Sequence, residues 1–422
     1  MSMRLLSYRT RQLALAALTA NAVRPPREPH AGVGAFVPGW LTGELAPQLL
    51  TTLALDTGSH LLRHGRRSDR AALALAAASA VGLGRILIQS LRARDALDNA
   101  VAEAYPGAPA VRETIDWKAV ARPLKAVRTT PPGVRVVRDL QYAGTGPRGR
   151  LDLYLPDELT AGAPKAAQAA PVLVQIHGGG WVLGRKDQQG VPLMHRMAAR
   201  GWVCVAINYR LAPAHPLPTQ VIDVKRALAW VRAHIEEWGG DPRYLAVTGG
   251  SAGGHLAALA ALTPGDPEFQ PGFEDADTTV QCAVPFYGVY DLAGASGLQS
   301  AQLLRDRFLA PRVFGREWSQ DPALFEATSP LLRVNVSAPD FFVIHGGSDS
   351  LVEVAQGRLF AERLRAVSAG RVGYAELPGA QHAFDVFPSI RTELTIAAVE
   401  TFLTRHRADW LAAHDSTDRA AP

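Results

Sequence analysis

The chain has 422 residues, of which 47% are hydrophobic and 20% charged, so it is long enough for one large α/β domain with an accessory region and too apolar to be disordered throughout. Its net charge of +5 lies in the N-terminal quarter: residues 1–110 carry 12 arginines and 7 acidic residues, and the rest is balanced. The main part of the chain does not cluster basic residues beside aromatic ones, which argues against nucleic-acid binding. For the arginines at 63–70, an anionic membrane surface is the favoured partner, and a solvated charged turn is the alternative.

The first 110 residues read as helices. An apolar run at 13–20 follows several arginines and ends at Ala20-Asn21-Ala22, which has the spacing of a cleavage site. This pattern is either a weak secretory signal peptide or, as we favour, a surface helix. Two further helices are predicted at 36–62 and 71–91. The uncharged run 71–84 has only 14 residues, short of the ~18–20 that span a bilayer. A helical hairpin that packs on the rest of the chain or lies in a membrane interface is therefore preferred to a spanning helix.

After about residue 114, short β-branched runs alternate with helical ones, a pattern typical of a parallel sheet with crossover helices. Both cysteines, Cys204 and Cys282, lie in such apolar runs and are predicted to be buried free thiols, without a zinc-ligand pattern. We divide the chain into an N-terminal helical region at 1–115, an α/β domain at 116–410 and a C-terminal tail at 411–422. Strands are predicted at 135–137, 150–154, 172–176, 202–208, 245–247, 283–286, 341–344 and 372–376.

Ser251 follows one of these strands and precedes a helical run, in the sequence Gly-Gly-Ser-Ala-Gly-Gly. A Gly-x-Ser-x-Gly turn between strand and helix strains the serine backbone and exposes its hydroxyl. The loop that starts at His177, 74 residues upstream, adds three glycines, and acyl transfer needs both an activated hydroxyl and N–H groups aimed at the oxyanion. The predicted oxyanion donors are Gly179, Gly180 and Ala252, and the residues predicted to shape the two turns are His177, Gly178, Gly249 and Gly253.

A phosphate-cradling loop is the alternative interpretation of the triple glycine, but nothing resembling the lysine and hydroxyl of a P-loop follows it. Serine needs a base, and His382 is predicted to be that base because it lies in a loop after the last strand. Asp349, 33 residues earlier and also after a strand, is predicted to orient His382. The order Ser251, Asp349, His382 is that of the α/β-hydrolases.

Four other polar side chains near these motifs are candidates for the same roles. Asp385 and Glu353 are interpreted as helix caps or salt-bridge partners. His255 lies on the helix after Ser251, in a position that packs or faces solvent, and His345 belongs to a strand-end turn.

Together these residues resemble the hormone-sensitive-lipase-like branch of the α/β-hydrolases, the bacterial family IV esterases, over residues 116–405. The resemblance implies a mostly parallel central sheet flanked by helices, with an N-terminal helical cap. It also implies a serine carboxylic ester hydrolase that works through an acyl-enzyme without metal or organic cofactor, and the whole chain looks most like mycobacterial and related actinobacterial lipase/esterases. The resemblance rests on the triple-glycine loop at 177–184, Asn-Tyr-Arg-Leu-Ala-Pro at 208–213 continued to 218, the serine motif at 249–254, and the spacing of Asp349 and His382.

This chain departs from the family pattern at Gly250, where the family commonly has Asp, and at Ala214, where Glu is usual. The expected substrates are small-molecule or lipid esters with short to medium acyl chains, and no nucleic acid. Amide or peptide cleavage by the same triad and a non-catalytic binding module are the alternatives. Residues 1–110 are expected to associate with a membrane or the cell envelope, in preference to a cytoplasmic location, and 293–325 to form a second lid. The sequence assigns no oligomeric state.

Overall fold

The structure is a computed structural model, and it describes residues 6–26, 29–108, 115–159 and 169–418. Eight strands occur in these ranges, one at each position predicted from the sequence. They are β1 (Val134–Gln141), β2 (Arg150–Pro156), β3 (Ala170–Ile176), β4 (Val203–Ile207), β5 (Gly240–Gly250), β6 (Cys282–Phe286), β7 (Asp340–Gly346) and β8 (Val372–Leu377).

Helices precede, connect and follow these strands. Before β1 lie α1 (Tyr8–Val23), α2 (Pro29–Glu44), α3 (Ala46–His64), α4 (Arg70–Ala104), α5 (Trp117–Ala121) and α6 (Pro123–Arg128). The connections contain α7 (Val191–Ala199), α8 (Thr219–His234), α9 (Ala252–Leu262), α10 (Gln299–Leu304), the π-helix Arg305–Phe314, α11 (Pro322–Ala327), α12 (Pro330–Arg333) and α13 (Val354–Val367). The last helix is α14 (Ile390–Asp418), which continues past the tail boundary predicted at 411.

The strands form a single sheet in the order β1-β2-β4-β3-β5-β6-β7-β8. Strand β2 is antiparallel to both of its neighbours, and the pairs from β4 to β8 are parallel. The chain enters the parallel part at β3, moves outward to β4, and then returns to the other side at β5. This reversal creates a crevice beyond the carboxyl ends of β3 and β5, where open α/β sheets bind their ligands.

Alternating side chains of the inner strands fill two separate cores, because successive residues of a strand point to opposite faces. On one face Val172, Val174 and Ile176 pack with α8, α9 and α13. On the other face Leu173 packs with α4, α7 and α14. Both cysteines are buried free thiols, as predicted, and their burial raises the pKa of each.

Helix α4 extends further than predicted and belongs to the main core. Its C-terminal part, from Ala93 to Ala104, lies in the same hydrophobic cluster as the strands and α14. The prediction that this helix ends at 91 was therefore wrong, because apolar residues continue on the face that meets the sheet. The domain boundary at 115 borders residues 109–114, outside the described residues, and stays a prediction.

The helix predicted at 36–62 is two helices, α2 and α3, which break at Leu45 beside Pro47 in the first turn of α3, a position where proline is well tolerated. Helix α3 packs on α4 through Leu53, Leu83 and Ile86, so the two form the expected hairpin. Helix α1 (Tyr8–Val23) covers residues 13–20, where the sequence favoured a surface helix.

Of the described helices, α4 alone is long and apolar enough to cross a membrane by length and composition. Its most apolar 18-residue window is 28% buried. Core helices and signal sequences satisfy the same criterion, so the observation by itself assigns no membrane span.

A buried ion pair fastens the end of α2 to the start of α14. Arg391 Nη1 donates to Glu44 Oε1 over 2.7 Å, and Ser389 Oγ donates to Glu44 Oε2 over 2.7 Å. Neither charged side chain is exposed to solvent by more than 1%. The pair therefore fixes α2 on α14 and so on the part of the chain that contains the sheet.

Replacing Glu44 with alanine is expected to lower the free energy of unfolding by about 3–5 kcal/mol, because Arg391 is left as an uncompensated buried charge. Urea unfolding of the full chain measures this loss. Glu103→Ala is the matched control, since it breaks a surface pair with Arg365 of the same 2.7 Å length and should cost about 1 kcal/mol or less. Equal losses of stability in the two variants would contradict a special contribution from the buried Glu44–Arg391 pair.

Candidate active site

The predicted site residues lie at one edge of the sheet, at the carboxyl ends of β3, β5, β7 and β8. Strand register aligns Ile176 with Gly249, so the glycine loop after β3 and the serine turn after β5 are neighbours. Register also aligns Gly346 with Leu377, which brings the segments that carry Asp349 and His382 side by side. The topology therefore gathers all three predicted triad members.

Ser251 occupies a sharp turn between β5 and α9. Its backbone has φ 58° and ψ −122°, a conformation that a serine adopts only under strain, and its N–H donates to Phe286 O over 3.0 Å. The flanking glycines permit the turn to press on β3: a Cβ on Gly249 would lie 2.5 Å from Ile176 O, and one on Gly253 would lie 2.1 Å from the same atom. This is the strand-turn-helix context in which a serine hydroxyl is exposed.

The glycine loop presents unpaired backbone N–H groups. Gly179 and Gly180 have φ of 115° and 59°. In the part of the chain that the structure describes, their N–H groups donate to no other protein group. Ala252 is the first residue of α9, where helical N–H groups have no intrahelical acceptor. All three predicted oxyanion donors are therefore free to bind a ligand.

The loop is held in place from behind. The N–H of Gly178 donates to Gln189 Oε1 over 2.7 Å. Tyr209, from the Asn-Tyr-Arg-Leu-Ala-Pro motif, donates its hydroxyl to His177 O over 2.8 Å and stacks on the His177 ring at 4.2 Å between centroids. Burial lowers the pKa of His177 to about 4, so this ring is neutral near pH 7. His177 therefore supports the loop rather than exchanging protons.

His382 and Asp349 form a close pair. His382 Nδ1 lies 2.7 Å from Asp349 Oδ2, while Asp349 Oδ1 accepts from the N–H groups of Leu351 and Val352, each over 2.9 Å. His345 Nε2 lies 3.4 Å from the same Oδ2 and 3.0 Å from Val352 O. Burial alone raises the pKa of Asp349, but the charge of His382 and hydrogen bonds from both histidines outweigh it and hold the pKa well below its usual range. The carboxylate is therefore ionised and ready to orient an imidazole.

Among the hydrogen bonds of the described residues, none joins the Ser251 hydroxyl to His382. The two residues flank the same segment: Ser251 N–H is bound by Phe286 O, and the ring of Tyr287 lies 4.5 Å from the ring of His382. Hydrogen bonds of this kind are often loose without substrate and tighten when it binds.

Two aromatic side chains from different parts of the chain border the site. Phe36 of α2 approaches the His382 ring edge-on at 5.9 Å between centroids. Phe308 of the π-helix lies 3.1 Å from the position that a Cβ on Gly180 would take. The segment predicted as a second lid, 293–325, thus contacts the glycine loop, and α2 covers His382. No sequence signal marks Phe36, because a helical pattern does not report what lies beneath the helix.

The roles first assigned to two acidic residues change. Within the described residues, Asp385 caps no helix and forms no salt bridge: it accepts the hydroxyl hydrogen bond of Tyr287. Glu353 does stand at the N-cap of α13, but its side chain does not cap that helix and instead accepts from Ser300 Oγ. The Asp385 prediction was wrong because its partner is distant in sequence.

His255 packs in the core behind the serine turn. Its Nδ1 accepts from Trp181 Nε1 over 3.1 Å and its Nε2 donates to Thr328 O over 2.8 Å. Burial lowers the pKa of His255 to about 4. The ring is therefore a neutral structural link between the glycine loop and the helical segment at 322–333.

This histidine predicts a loss of stability in acid. Between pH 6.5 and 4 the unfolded chain protonates residue 255 and the folded chain does not, so the free energy of unfolding falls as pH falls, by about 3 kcal/mol for this one group. The His255→Gln variant keeps an acceptor and a donor but cannot titrate. Urea unfolding at pH 7, 5.5 and 4.5 should show a shallower fall for the variant, and parallel curves for the two proteins would contradict the prediction.

Comparison with known proteins agrees with this geometry. The BD-FAE family model matches residues 151–364. "Probable carboxylic ester hydrolase LipM" of Mycobacterium tuberculosis is 43% identical over 93% of this chain and 92% of its own length, and "Esterase LipC" of the same organism is 41% identical over 70% and 72%. Among solved structures, the butyrate-bound esterase Est2 of Thermogutta terrifontis superimposes with a TM-score of 0.52 at 28% identity, covering 67% of this chain and 94% of that one. The chain therefore belongs to the BD-FAE family of α/β-hydrolases and is a carboxylic ester hydrolase of the hormone-sensitive-lipase-like type.

Proposed function

We propose that Ser251 is the nucleophile of this esterase, with His382 as its base and Asp349 as the residue that orients the base. The observation that carries the proposal is the strained serine turn beside the free N–H groups of the glycine loop, at the sheet edge that also holds the His382–Asp349 pair. No other described histidine combines a carboxylate partner with a place at this edge and contact with the segment that binds Ser251.

In the proposed reaction, His382 Nε2 takes the Ser251 proton while Oγ attacks the ester carbonyl carbon. The N–H groups of Gly179, Gly180 and Ala252 bind the resulting oxyanion. Collapse of this intermediate breaks the bond to the alcohol, which leaves with the proton from His382. Water, deprotonated by His382, then attacks the acyl-enzyme and releases the acid, so that the serine regains its proton.

We propose short to medium acyl chains as substrates. Phe36 and Phe308 close in on His382 and Gly180 from two sides, which favours a compact acyl pocket. The Est2 structure has butyrate bound, and this ligand supports the same size class for the present chain.

Covalent labelling tests the nucleophile directly. A dialkyl p-nitrophenyl phosphate should transfer one phosphoryl group per chain, release one equivalent of nitrophenol and abolish ester hydrolysis in proportion. Peptide mass spectrometry should place the label on Ser251. A label on another residue, or hydrolysis that continues after stoichiometric labelling, would refute the proposal.

Amide cleavage is the second candidate, because ester and amide hydrolysis use the same oxyanion geometry. Matched p-nitrophenyl esters and p-nitroanilides of acetate, butyrate, hexanoate and decanoate separate the two activities and measure chain-length preference together. We expect kcat/KM to be highest for an ester of four to six carbons, and a maximum at decanoate or on an anilide would contradict this expectation.

We also propose that the N-terminal helices bind an anionic lipid surface. Helix α2 exposes Val33, Val37 and Leu41 at four-residue spacing, so that one stripe of the helix faces away from the enzyme. Apolar side chains are also exposed on its neighbours, and the positive net charge of residues 1–110 complements anionic headgroups. Those neighbouring exposed side chains are Leu13 on α1, Leu55 and Leu62 on α3, and Val81 and Ile88 on α4.

Point variants are the appropriate test, because deleting residues 1–110 would remove the part of α4 that fills the main core. The full chain should sediment with phosphatidylglycerol vesicles more than with phosphatidylcholine vesicles. The triple variant Val33→Ser, Val37→Ser, Leu41→Ser should sediment less with phosphatidylglycerol vesicles. The control variant Leu332→Ser, Val336→Ser, with two exposed residues of the catalytic domain replaced, should sediment like the wild type. Equal sedimentation of the two variants would exclude α2 as the contact.

A further inference from the structure

Tyr287 connects the serine turn to His382. The carbonyl of the preceding residue, Phe286, accepts from Ser251 N–H, and the N–H of Tyr287 donates to Ile344 O over 2.7 Å. The Tyr287 ring is 2% exposed and lies 4.5 Å from the His382 ring, inclined by 55°. Phe286 and Tyr287 together thus contact the elements that carry each member of the proposed triad.

The backbone of Tyr287 is in the left-handed region, with φ 36°. Five non-glycine residues among those described have positive φ, and four of them belong to segments of this site. Such conformations cost free energy and persist where the surrounding structure enforces them, commonly at functional sites. The four are Trp181, Ser251, Tyr287 and Ala383.

The hydroxyl of Tyr287 donates to Asp385 Oδ1, three residues after His382 on the same loop. Burial raises the pKa of both groups, even though the hydrogen bond from Tyr287 and the nearby charge of His382 act to lower that of Asp385. The bond ties the ring to the loop that carries His382. It therefore fixes the ring and the histidine relative to one another.

Gly250 provides the space for this arrangement. A Cβ at residue 250 would lie 2.6 Å from the Tyr287 hydroxyl oxygen and 2.8 and 2.9 Å from two of its ring carbons. Any side chain at 250 would therefore displace the ring. The Tyr287 ring therefore occupies the space that a side chain at residue 250 would need. This explains why glycine precedes the proposed nucleophile in this chain.

We infer that Tyr287 and Asp385 are positioning residues for His382: the tyrosine ring, anchored by Asp385 and accommodated by Gly250, holds the imidazole in line with Ser251. The inference rests on the proposed role of His382. Neither residue touches the reacting atoms in this scheme. Their contribution is to kcat, because a loosely held base transfers the proton less often in the correct geometry.

Tyr287→Phe and Asp385→Ala should each lower kcat by about 10- to 100-fold at unchanged KM. The double variant should lose no more than the worse single variant, because the two substitutions remove the same hydrogen bond. Gly250→Ala should fall in the same range. Tyr290→Phe is the matched control: this buried tyrosine stacks on Phe360, and within the described residues its hydroxyl bonds to no side chain, so its kcat should equal that of the wild type.

The concentration of active sites is measured from the nitrophenol burst with the dialkyl p-nitrophenyl phosphate. Rates are divided by this concentration, so that misfolded chains do not lower the measured kcat. The proton NMR signal of the His382–Asp349 hydrogen bond should shift or broaden in Tyr287→Phe and stay in place in Tyr290→Phe. Single-variant kcat values within two-fold of the wild type, or losses that multiply in the double variant, would overturn the inference. If Ser251→Ala is inactive while these variants match the wild type, the positioning role alone fails; an active Ser251→Ala would instead remove the proposed function.

Discussion

Ser251→Ala is expected to reduce kcat for p-nitrophenyl butyrate by about 10⁴- to 10⁶-fold. In the proposed mechanism no acyl-enzyme forms without Oγ, and what remains is water attack helped by the proposed oxyanion donors and by substrate binding. The fold should be unaffected, because in the structure Ser251 makes its hydrogen bonds through backbone atoms, to Phe286 O and from His255 N. Steady-state hydrolysis combined with urea unfolding separates the two effects.

The control for this variant is Ser337→Ala, which alters an exposed loop serine and should keep full activity. The phosphate reagent should give no burst with Ser251→Ala and a full burst with Ser337→Ala. Retention of most butyrate hydrolysis by Ser251→Ala would show that the reaction runs through another group.

Asp349→Asn is expected to have the second-largest effect, a loss of about 10³- to 10⁴-fold in kcat. The carboxylate accepts from His382 Nδ1, which leaves Nε2 unprotonated and able to take the serine proton. An amide at 349 can instead donate to Nδ1, so that the proton of the neutral ring moves to Nε2, the atom that must act as base. The loss should therefore appear in kcat while KM changes little.

Asp277→Asn provides the comparison, since the exposed Asp277 pairs with Arg232 away from the site, and this variant should retain wild-type kcat. Phosphate labelling of Asp349→Asn should still reach Ser251, at a rate reduced in parallel with hydrolysis. Unchanged hydrolysis by Asp349→Asn would mean that another carboxylate orients His382. Asp385, which lies on the same loop as His382, would be the first carboxylate to replace.

The strands were predictable because they depend on local pattern, and the proposed triad was inferred from local motifs in the same way. Apolar β-branched runs mark strands in a sheet that is buried on both faces, and polar residues directly after such runs mark the carboxyl edge of the sheet. The motifs at Ser251 and at the glycine loop contain glycines because their backbone conformations leave no room for a side chain. Each turn can therefore be recognised from its own residues. The remaining triad members then follow from chain order.

The surroundings of the triad were not predictable, because they depend on contacts between residues far apart in the chain. Phe36 meets His382 only after α2 has been fastened by Glu44 to Arg391. In the sequence, Tyr287 is an ordinary aromatic residue at a strand end and Asp385 is interpreted as a helix cap. Only the folded structure shows that their side chains form a hydrogen bond. The sequence by itself determined which chemistry this protein carries, since strained turns and nucleophile motifs are local. Tertiary packing decided how that chemistry is held and covered, since a buried ring or carboxylate acquires its partner only when the sheet has assembled.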